Sequence, residues 1–160
     1  MSIFVQSAAA ALAEAVKLAG LWTAWGNGSV GWDLVSVTED VSATALLAEI
    51  GRRRANVIEH VEADPLGDII VPQGTFAVAP APTGILYVRT NFANTEAVGQ
   101  DIREAAVFAG TTLIPGLPVG QQYFLPADIA DPGVMMMIEH FPKVTRTSAF
   151  SVSLEYVLTL

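Results

Sequence analysis

The sequence contains no cysteine and has little charge, least of all positive charge. The missing cysteine excludes disulfides, thiol nucleophiles and thiolate metal sites. Charged residues make up 15% of the chain, against about a quarter in typical globular domains. The formal net charge is −8. Nucleic-acid binding is therefore not expected, because recognition of phosphate backbones needs a basic surface.

The chain also lacks a long apolar run. A membrane-spanning helix needs roughly 18 or more consecutive apolar residues, and the apolar stretch from Ser7 to Gly20 is interrupted by Glu14 and Lys17. A signal peptide would carry positive charge before its apolar segment, and residues 1–6 carry none. We therefore expect neither a membrane span nor a targeting segment.

What the sequence has in abundance is hydrophobic residues, which make up 52% of its 160 positions. This length suits one domain with a core of its own. So few charged residues cannot cover the whole surface of such a domain. We expect part of the apolar surface to be buried against other copies of the chain or against partner proteins.

Two helices are predicted. The first runs from Phe4 to Leu18, where alanine and leucine dominate and Gly20 follows as a stop signal. Its apolar residues lie on most faces, so it is predicted to pack on a neighbouring chain as an arm or on its own domain. A short internal helix is predicted from Ala43 to Arg53, capped by Asp40 or Ser42.

The rest of the chain indicates β structure. Apolar and polar residues alternate after Asn56 and again from Phe150 to Leu160. Further strands are predicted at Ile69–Val71, Thr75–Ala79, Ile85–Phe92, Ile102–Phe108 and Val134–Phe141, the last ending before Pro142. The predicted fold class is mainly β (α+β), an antiparallel β-sandwich or jelly-roll-like domain over residues 31–160. Residues 1–30 are predicted to form a helical arm and an aromatic turn.

Seven side chains are candidates for an interface. Trp22, Trp25 and Trp32 fall in a predicted turn-rich link, where clustered tryptophans either bind sugars or partners, or seal the edge of the core. Tyr123 and Phe124 lie in a predicted long loop, Gly110 to Asp131, and long loops are often interfacial. Phe4 and Leu12 belong to the predicted arm.

Opposite charges lie in apolar surroundings at two places in the sequence. Arg103 and Glu104 interrupt the run from Asp101 to Phe108, and Glu49 precedes the cluster Arg52, Arg53, Arg54. We predict a buried ion pair, Glu49 with Arg103 or Arg53 with Glu104, that fixes helix to sheet. A catalytic role of Glu104 would need a cleft and a second group, and the sequence identifies neither.

No pattern indicates a metal site, a cofactor or a catalytic motif. The tripeptide Ile-Glu-His occurs at residues 58–60 and 138–140, but adjacent residues of a strand point to opposite faces, so these side chains do not form one ligand set without a bulge. No serine has the Gly-x-Ser-x-Gly context. The turn Gly26-Asn27-Gly28 lacks the Lys-Ser/Thr of a phosphate loop.

The order of three motifs resembles structural proteins of tailed bacteriophages, especially the N-terminal attachment regions of tail fibre or collar proteins. The motifs are Trp25-Gly26-Asn27-Gly28, Thr44-x-Leu46-x-x-Glu49-x-x-Arg52 and Ile102-Arg103-Glu104-x-x-Val107-Phe108. The resemblance implies structural roles for Glu49, Arg52, Arg103 and Glu104. Fibre proteins of this kind continue into long shafts, so a chain ending at Leu160 is expected to be an adaptor, baseplate or neck component.

The leading hypothesis is a non-enzymatic virion protein, assembled in the host cytoplasm, that binds other copies of itself and other virion proteins at the tail, baseplate or fibre attachment. Arm exchange through Ser2 to Leu18 and loop contacts through Gly110 to Asp131 would carry this assembly. Three alternatives stay open: a head decoration protein, a carbohydrate-binding β-sandwich that uses the tryptophans, and a small enzyme built around Glu104 or His140.

Overall fold

The computed structural model describes residues 5–35 and 37–160, which form two packed five-stranded antiparallel sheets, a small two-stranded sheet and one α-helix. The predicted fold class, a mainly β sandwich-like domain with an N-terminal helix, is confirmed. Phe4 and the first residues of the predicted arm lie outside the described residues.

The helix α1 (Gln6–Ala19) owes its length to a run of alanines and ends at Gly20. Gly20 has a φ of 83°, a conformation that favours glycine, and its N–H donates to the carbonyl of Lys17. Ala13 is the buried residue of the helix, whereas Leu12 and Leu18 are exposed. Within the described residues, no helix is long and apolar enough to cross a membrane.

In the part of the chain that the structure describes, twelve strands follow the helix, and most of them lie where the residue pattern predicts them. They are β1 (Leu21–Gly26), β2 (Glu49–Arg54), β3 (Val57–Ala63), β4 (Ile69–Val71), β5 (Gly74–Val78), β6 (Ile85–Phe92), β7 (Asp101–Ala109), β8 (Thr112–Leu113), β9 (Tyr123–Phe124), β10 (Ile129–Asp131), β11 (Val134–Thr145) and β12 (Val152–Thr159). The predicted end of β11 before Pro142 is wrong. Because β11 is an edge strand and its register shifts between His140 and Val144, it accommodates the proline.

The first sheet has the order β11-β7-β1-β2-β9, the second has the order β12-β6-β3-β5-β4, and β10 pairs with β8. Strand β7 lies between β1 and β11, and every residue of it after Asp101 is buried. Its register places Glu104 beside Gly26 of β1 and His140 of β11. The charged pair Arg103-Glu104 therefore lies inside the molecule.

The core lies between the two sheets. Trp25 of β1 is 1% exposed and stacks on Phe92 of β6, with ring centroids 3.7 Å apart. One polar contact also crosses this space, where the hydroxyls of Thr23 and Thr90 share a hydrogen bond of 2.7 Å. Four apolar residues at alternate positions of β12, from Val152 to Leu158, contribute to the same core, as the alternation predicts, whereas Phe150 precedes the strand and is exposed.

The predicted turn-rich link from Leu21 to Trp32 is wrong over its first half. Residues Leu21–Gly26 form β1, which is buried throughout and paired on both sides. Gly26 is needed there because a Cβ atom would lie 2.6 Å from the carbonyl oxygen of Ala48. Tryptophan and threonine favour buried strands, and this preference outweighs the turn signal of the glycines that follow. The division of the chain at residue 30 stays a prediction.

The predicted internal helix from Ala43 to Arg53 is also wrong. Residues Glu49–Arg54 form β2, which pairs with β1 and β9. The backbone N–H groups of Leu47 and Ala48 donate to the carboxylate of Glu104 and not to the carbonyls four residues earlier, as the predicted helix would require. Tertiary contacts override the local helix propensity here.

The sequence predicts one long loop from Gly110 to Asp131, and this prediction is wrong. The segment contains β8, β9, β10 and a short 3-10 turn at Pro126–Asp128. The carboxylate of Asp128 accepts bonds from the backbone N–H of Leu125 and the side-chain amide of Gln121. These local bonds hold the segment against β2, which pairs with β9.

Candidate assembly interface

The chain between β1 and β2, described in residues 27–35 and 37–48, is mostly irregular and lies beside the buried charges of β7. In residues 27–35 and 37–48 its helical content is one 3-10 turn, Val30–Asp33. Connections longer than about 12–15 residues are uncommon in compact domains and usually have a function. We call this segment the β1–β2 connection.

Glu104 binds the two ends of the β1–β2 connection to each other. Its side chain has no exposed surface. One carboxylate oxygen accepts hydrogen bonds from the N–H of Ala48 at 2.8 Å and of Gly28 at 3.3 Å, and the other accepts from Leu47 at 3.0 Å. These backbone donors compensate the charge that burial takes out of water.

Arg103 holds the beginning of the connection. Its guanidinium donates two bonds to the carboxylate of Asp33, at 2.8 and 2.9 Å, and a third to the carbonyl of Asn27 at 3.2 Å. The hydrogen bond from Arg103 holds the pKa of Asp33 below its usual value, and Asp33 in turn raises the pKa of Arg103. Such a bidentate pair fixes position as well as charge.

Strand β11 holds the middle of the connection. The ring of Trp32 stacks on His140, with centroids 4.1 Å apart. The backbone N–H of His140 donates to the Glu39 carboxylate at 3.1 Å, and this bond is the largest cause of the lowered pKa of Glu39. The connection is therefore fixed at its ends and at its centre.

The β1–β2 connection nevertheless displays aliphatic side chains to solvent. The exposed ones are Val30, Leu34, Val35, Val37, Val41 and Leu47. Single exposed apolar residues are normal, but a group of them on one fixed segment is typical of an interaction site. Leu46, by contrast, is buried against Ala24 and Phe108 on the outer face of the first sheet.

The predicted pairs of Glu49 with Arg103 and of Arg53 with Glu104 do not form. Glu49 pairs with Arg52 of the same strand at 2.7 Å, and Arg53 pairs with Glu96 at 2.9 Å. The prediction assumed that residues 49–53 belonged to a helix packed on β7. In a strand those side chains project in other directions, and Arg103 and Glu104 bind the connection.

Most of the predicted interface residues are wholly or partly buried. Trp22, Trp25 and Phe124 are buried, and the hydroxyl of Tyr123 accepts a bond of 2.9 Å from the indole N–H of Trp25. Trp22 and Phe124 pack against each other, with ring centroids 5.5 Å apart, and burial raises the pKa of Tyr123. Of the seven candidates, Leu12 is exposed and Trp32 is half-buried on the β1–β2 connection.

The two Ile-Glu-His tripeptides lie in different sheets, on β3 and β11. The Nε2 atom of His60 lies 2.8 Å from the carboxylate of Glu14, and its Nδ1 atom lies 2.9 Å from the carbonyl of Thr83. This contact fastens α1 to β3. Among residues 5–35 and 37–160, no three His, Cys, Asp or Glu side chains are grouped as a metal site would need.

Sequence reasoning missed three residues that matter for this arrangement. Asp33 lies 70 positions from Arg103, and no local pattern connects them. Thr111 accepts a bond of 2.9 Å from Arg52. Arg146 is buried, donates to the carbonyls of Ala93 and Phe150, and lies over the ring of Trp25. A lone arginine after the end of a predicted strand offers no signal of such a role.

Over residues 1–160 the sequence matches the protein family described as "Baseplate wedge 3 tail fiber network component". The chain belongs to this family. Membership in the baseplate wedge family makes it a structural protein of the phage tail and confirms the resemblance to virion proteins of tailed bacteriophages. A search of curated proteins returns no match.

Proposed function

We propose that this baseplate protein has no enzymatic activity and that it assembles as a homo-oligomer at the baseplate, in the region of fibre attachment. The family match carries the baseplate role. The self-association rests on the apolar composition and on exposed aliphatic side chains of α1, Leu12 and Leu18, and of Val5 directly before it. Assembly into the virion takes place in the host cytoplasm.

The surroundings of the two candidate catalytic groups support a structural role. The carboxylate oxygens of Glu104 are occupied by backbone N–H groups and have no contact with solvent. The ring of His140 lies against Trp32. A general acid or base must reach a substrate, and the Glu104 carboxylate cannot do so in this arrangement.

The oligomer is tested by light scattering on the full chain and on the double variant Leu12→Ser, Leu18→Ser. We expect a multiple of the monomer mass for the unchanged protein and a fall towards the monomer for the variant, because α1 would lose the apolar contacts that hold the copies together. Ala11→Ser, at another exposed position of the same helix, is the matched control. A monomer in every case would remove self-association from the proposal.

The structure gives the carbohydrate-binding alternative little support. Such a site would need accessible tryptophan faces, whereas Trp22 and Trp25 are buried and Trp32 stacks on His140. The family description points to the baseplate rather than to head decoration.

A further inference from the structure

We propose that the β1–β2 connection is the docking surface for a different virion protein, one that presents aliphatic side chains flanked by lysine or arginine. The inference rests on the proposed baseplate role and adds to it the surface and the chemistry of the partner. The carrying observation is the set of exposed aliphatic side chains on a segment fixed by Arg103 and Glu104.

The surface includes a hollow as well as projecting side chains. The hollow lies between the connection and β11 and has a volume of about 180 Å³. Its lining includes Trp32, Leu34, Val37, Phe141 and Pro142. Leu34 is 88% exposed and Val41 is fully exposed. A hollow bordered by projecting aliphatic side chains suits an apolar side chain of a partner as an anchor.

The acidic residues of the connection favour a partner with a basic surface. The connection contains Asp33, Glu39 and Asp40 and no lysine, arginine or histidine. Hydrogen bonds hold the pKa of each carboxyl below its usual value, so all three are ionised at neutral pH. Arg103 neutralises Asp33. Glu39 and Asp40 keep their charge, which a basic partner would complement.

A second copy of this chain does not have the required basic surface. The sequence contains 8 lysines and arginines. Arg52, Arg103 and Arg146 are buried, and Arg53 pairs with Glu96. The remaining ones are spread over four different elements: Lys17, Arg54, Arg89 and Lys143. Two connections facing each other would also oppose like charges, which disfavours self-pairing through this surface.

The buried side chains that hold the connection preorganise this surface for binding. A free connection of this length would lose much conformational entropy when it became ordered on a partner. Glu104, Arg103 and the Trp32–His140 stack have already ordered it. The ordering of the connection explains why β7 carries buried charged residues, although apolar residues at these positions would have a lower desolvation cost.

Photo-cross-linking in assembled phage particles tests the proposal with the full chain. A benzophenone amino acid replaces Leu34 in one variant and Val41 in a second. In the control it replaces Leu66, which is 91% exposed in the turn between β3 and β4. We expect a cross-link to a different virion protein from positions 34 and 41 and none from position 66.

Three other results would contradict either the docking surface or the baseplate role. A cross-link joining two copies of this chain from positions 34 and 41, or no cross-link although the protein is in the particle, rejects the docking surface and leaves the baseplate role intact. Absence of the unchanged protein from purified particles rejects the baseplate role itself, and the docking surface with it.

A competition experiment tests the chemistry of the partner without a probe. Val41→Ser and the charge variant Glu39→Gln, Asp40→Asn are each co-expressed with the unchanged chain during phage growth. We expect incorporation of each variant into particles to fall roughly tenfold, because an aliphatic contact or a pair of charges is lost. Leu66→Ser should be incorporated equally with the unchanged chain. Equal incorporation of all variants would contradict the proposal.

Discussion

Glu104 shows how one buried side chain organises a distant segment. It lies on β7, yet its three hydrogen bonds reach residues 28, 47 and 48, which belong to the two ends of the β1–β2 connection. A buried carboxylate is costly unless each oxygen is satisfied. Here the donors are backbone groups that would themselves be unsatisfied without it. The carboxylate and the connection therefore stabilise each other.

Removal of the Glu104 carboxylate should destabilise the protein. We expect Glu104→Ala to lower the free energy of unfolding by about 2–4 kcal/mol, because it leaves several backbone donors without acceptors. Glu104→Gln keeps one acceptor oxygen and should cost about half as much. Urea unfolding of both variants, monitored by tryptophan fluorescence, gives the comparison. If Glu104→Ala were as stable as the unchanged chain, water would be accepting the backbone hydrogen bonds in place of the carboxylate, and the proposed contribution of Glu104 to stability would be wrong.

At the scale of elements, α1 is fastened to the sandwich by small residues and one polar contact. Ala13 has no exposed surface. A side chain at position 84 would not fit, because a Cβ atom on Gly84 would lie 2.7 Å from the Cβ atom of Ala9. His60 of β3 contacts Glu14 of the helix. Close packing of small side chains tolerates little added volume. The position of the helix therefore depends on alanine where the helix touches the sheets.

A matched pair of substitutions tests the packing of α1. We expect Ala13→Leu to cost about 1–3 kcal/mol of stability and to separate the helix from the sheets, because no space is available for the larger side chain. Ala11→Leu, at an exposed position of the same helix, should change stability by less than about 0.5 kcal/mol. Hydrogen exchange of the α1 amides should become faster in the first variant alone. Similar exchange in both variants would contradict the packing described here.

At the scale of the whole molecule, all 3 tyrosines are protected from ionisation. Burial raises the pKa of Tyr87 to about 12, helped by its hydrogen bond to Glu155. Burial also raises the pKa of Tyr123 and of Tyr156. In the unfolded chain the three phenols would ionise near pH 10. The neutral phenols therefore favour the folded state below about pH 10, and this contribution is lost as the pH rises towards 12.

An alkaline titration tests this protection. After a rapid jump from neutral pH to about pH 11, we expect most of the phenolate absorbance of Tyr87 and Tyr156 to appear at the rate of unfolding, because burial raises the pKa of both phenols far above the usual value. In concentrated urea the same jump should ionise the tyrosines within the mixing time. Immediate ionisation of all three tyrosines in the folded protein would contradict the burial of Tyr87 and Tyr156.

The sequence predicts the strands and the helix better than it predicts their contacts. Strands β4 and β6 have their predicted bounds, and α1 ends within a residue of its predicted end, because local alternation and alanine content determine them. Residues 43–53 show the limit of this reasoning. Their local pattern favours a helix, but pairing of Glu49–Arg54 with β1 and the bonds from Leu47 and Ala48 to Glu104 outweigh it.

The candidate interface was only partly predictable. Arg103 and Glu104 stand out because two charges in an apolar strand need partners. The sequence does not show which partners, since Asp33 and residues 28, 47 and 48 come close only after β1, β2 and β7 have paired. Trp25 was an interface candidate by residue type, and its position between the sheets makes it a core residue.

Composition and short-range periodicity are sufficient to predict a mainly β fold with an N-terminal helix, an acidic surface and the absence of thiol chemistry. Only the folded structure shows which charged residues form pairs, which aromatic rings are buried and which aliphatic side chains are exposed to solvent. The reason is physical: each of these depends on contacts between residues far apart in the chain, and the free energy of such contacts is not encoded in any local pattern.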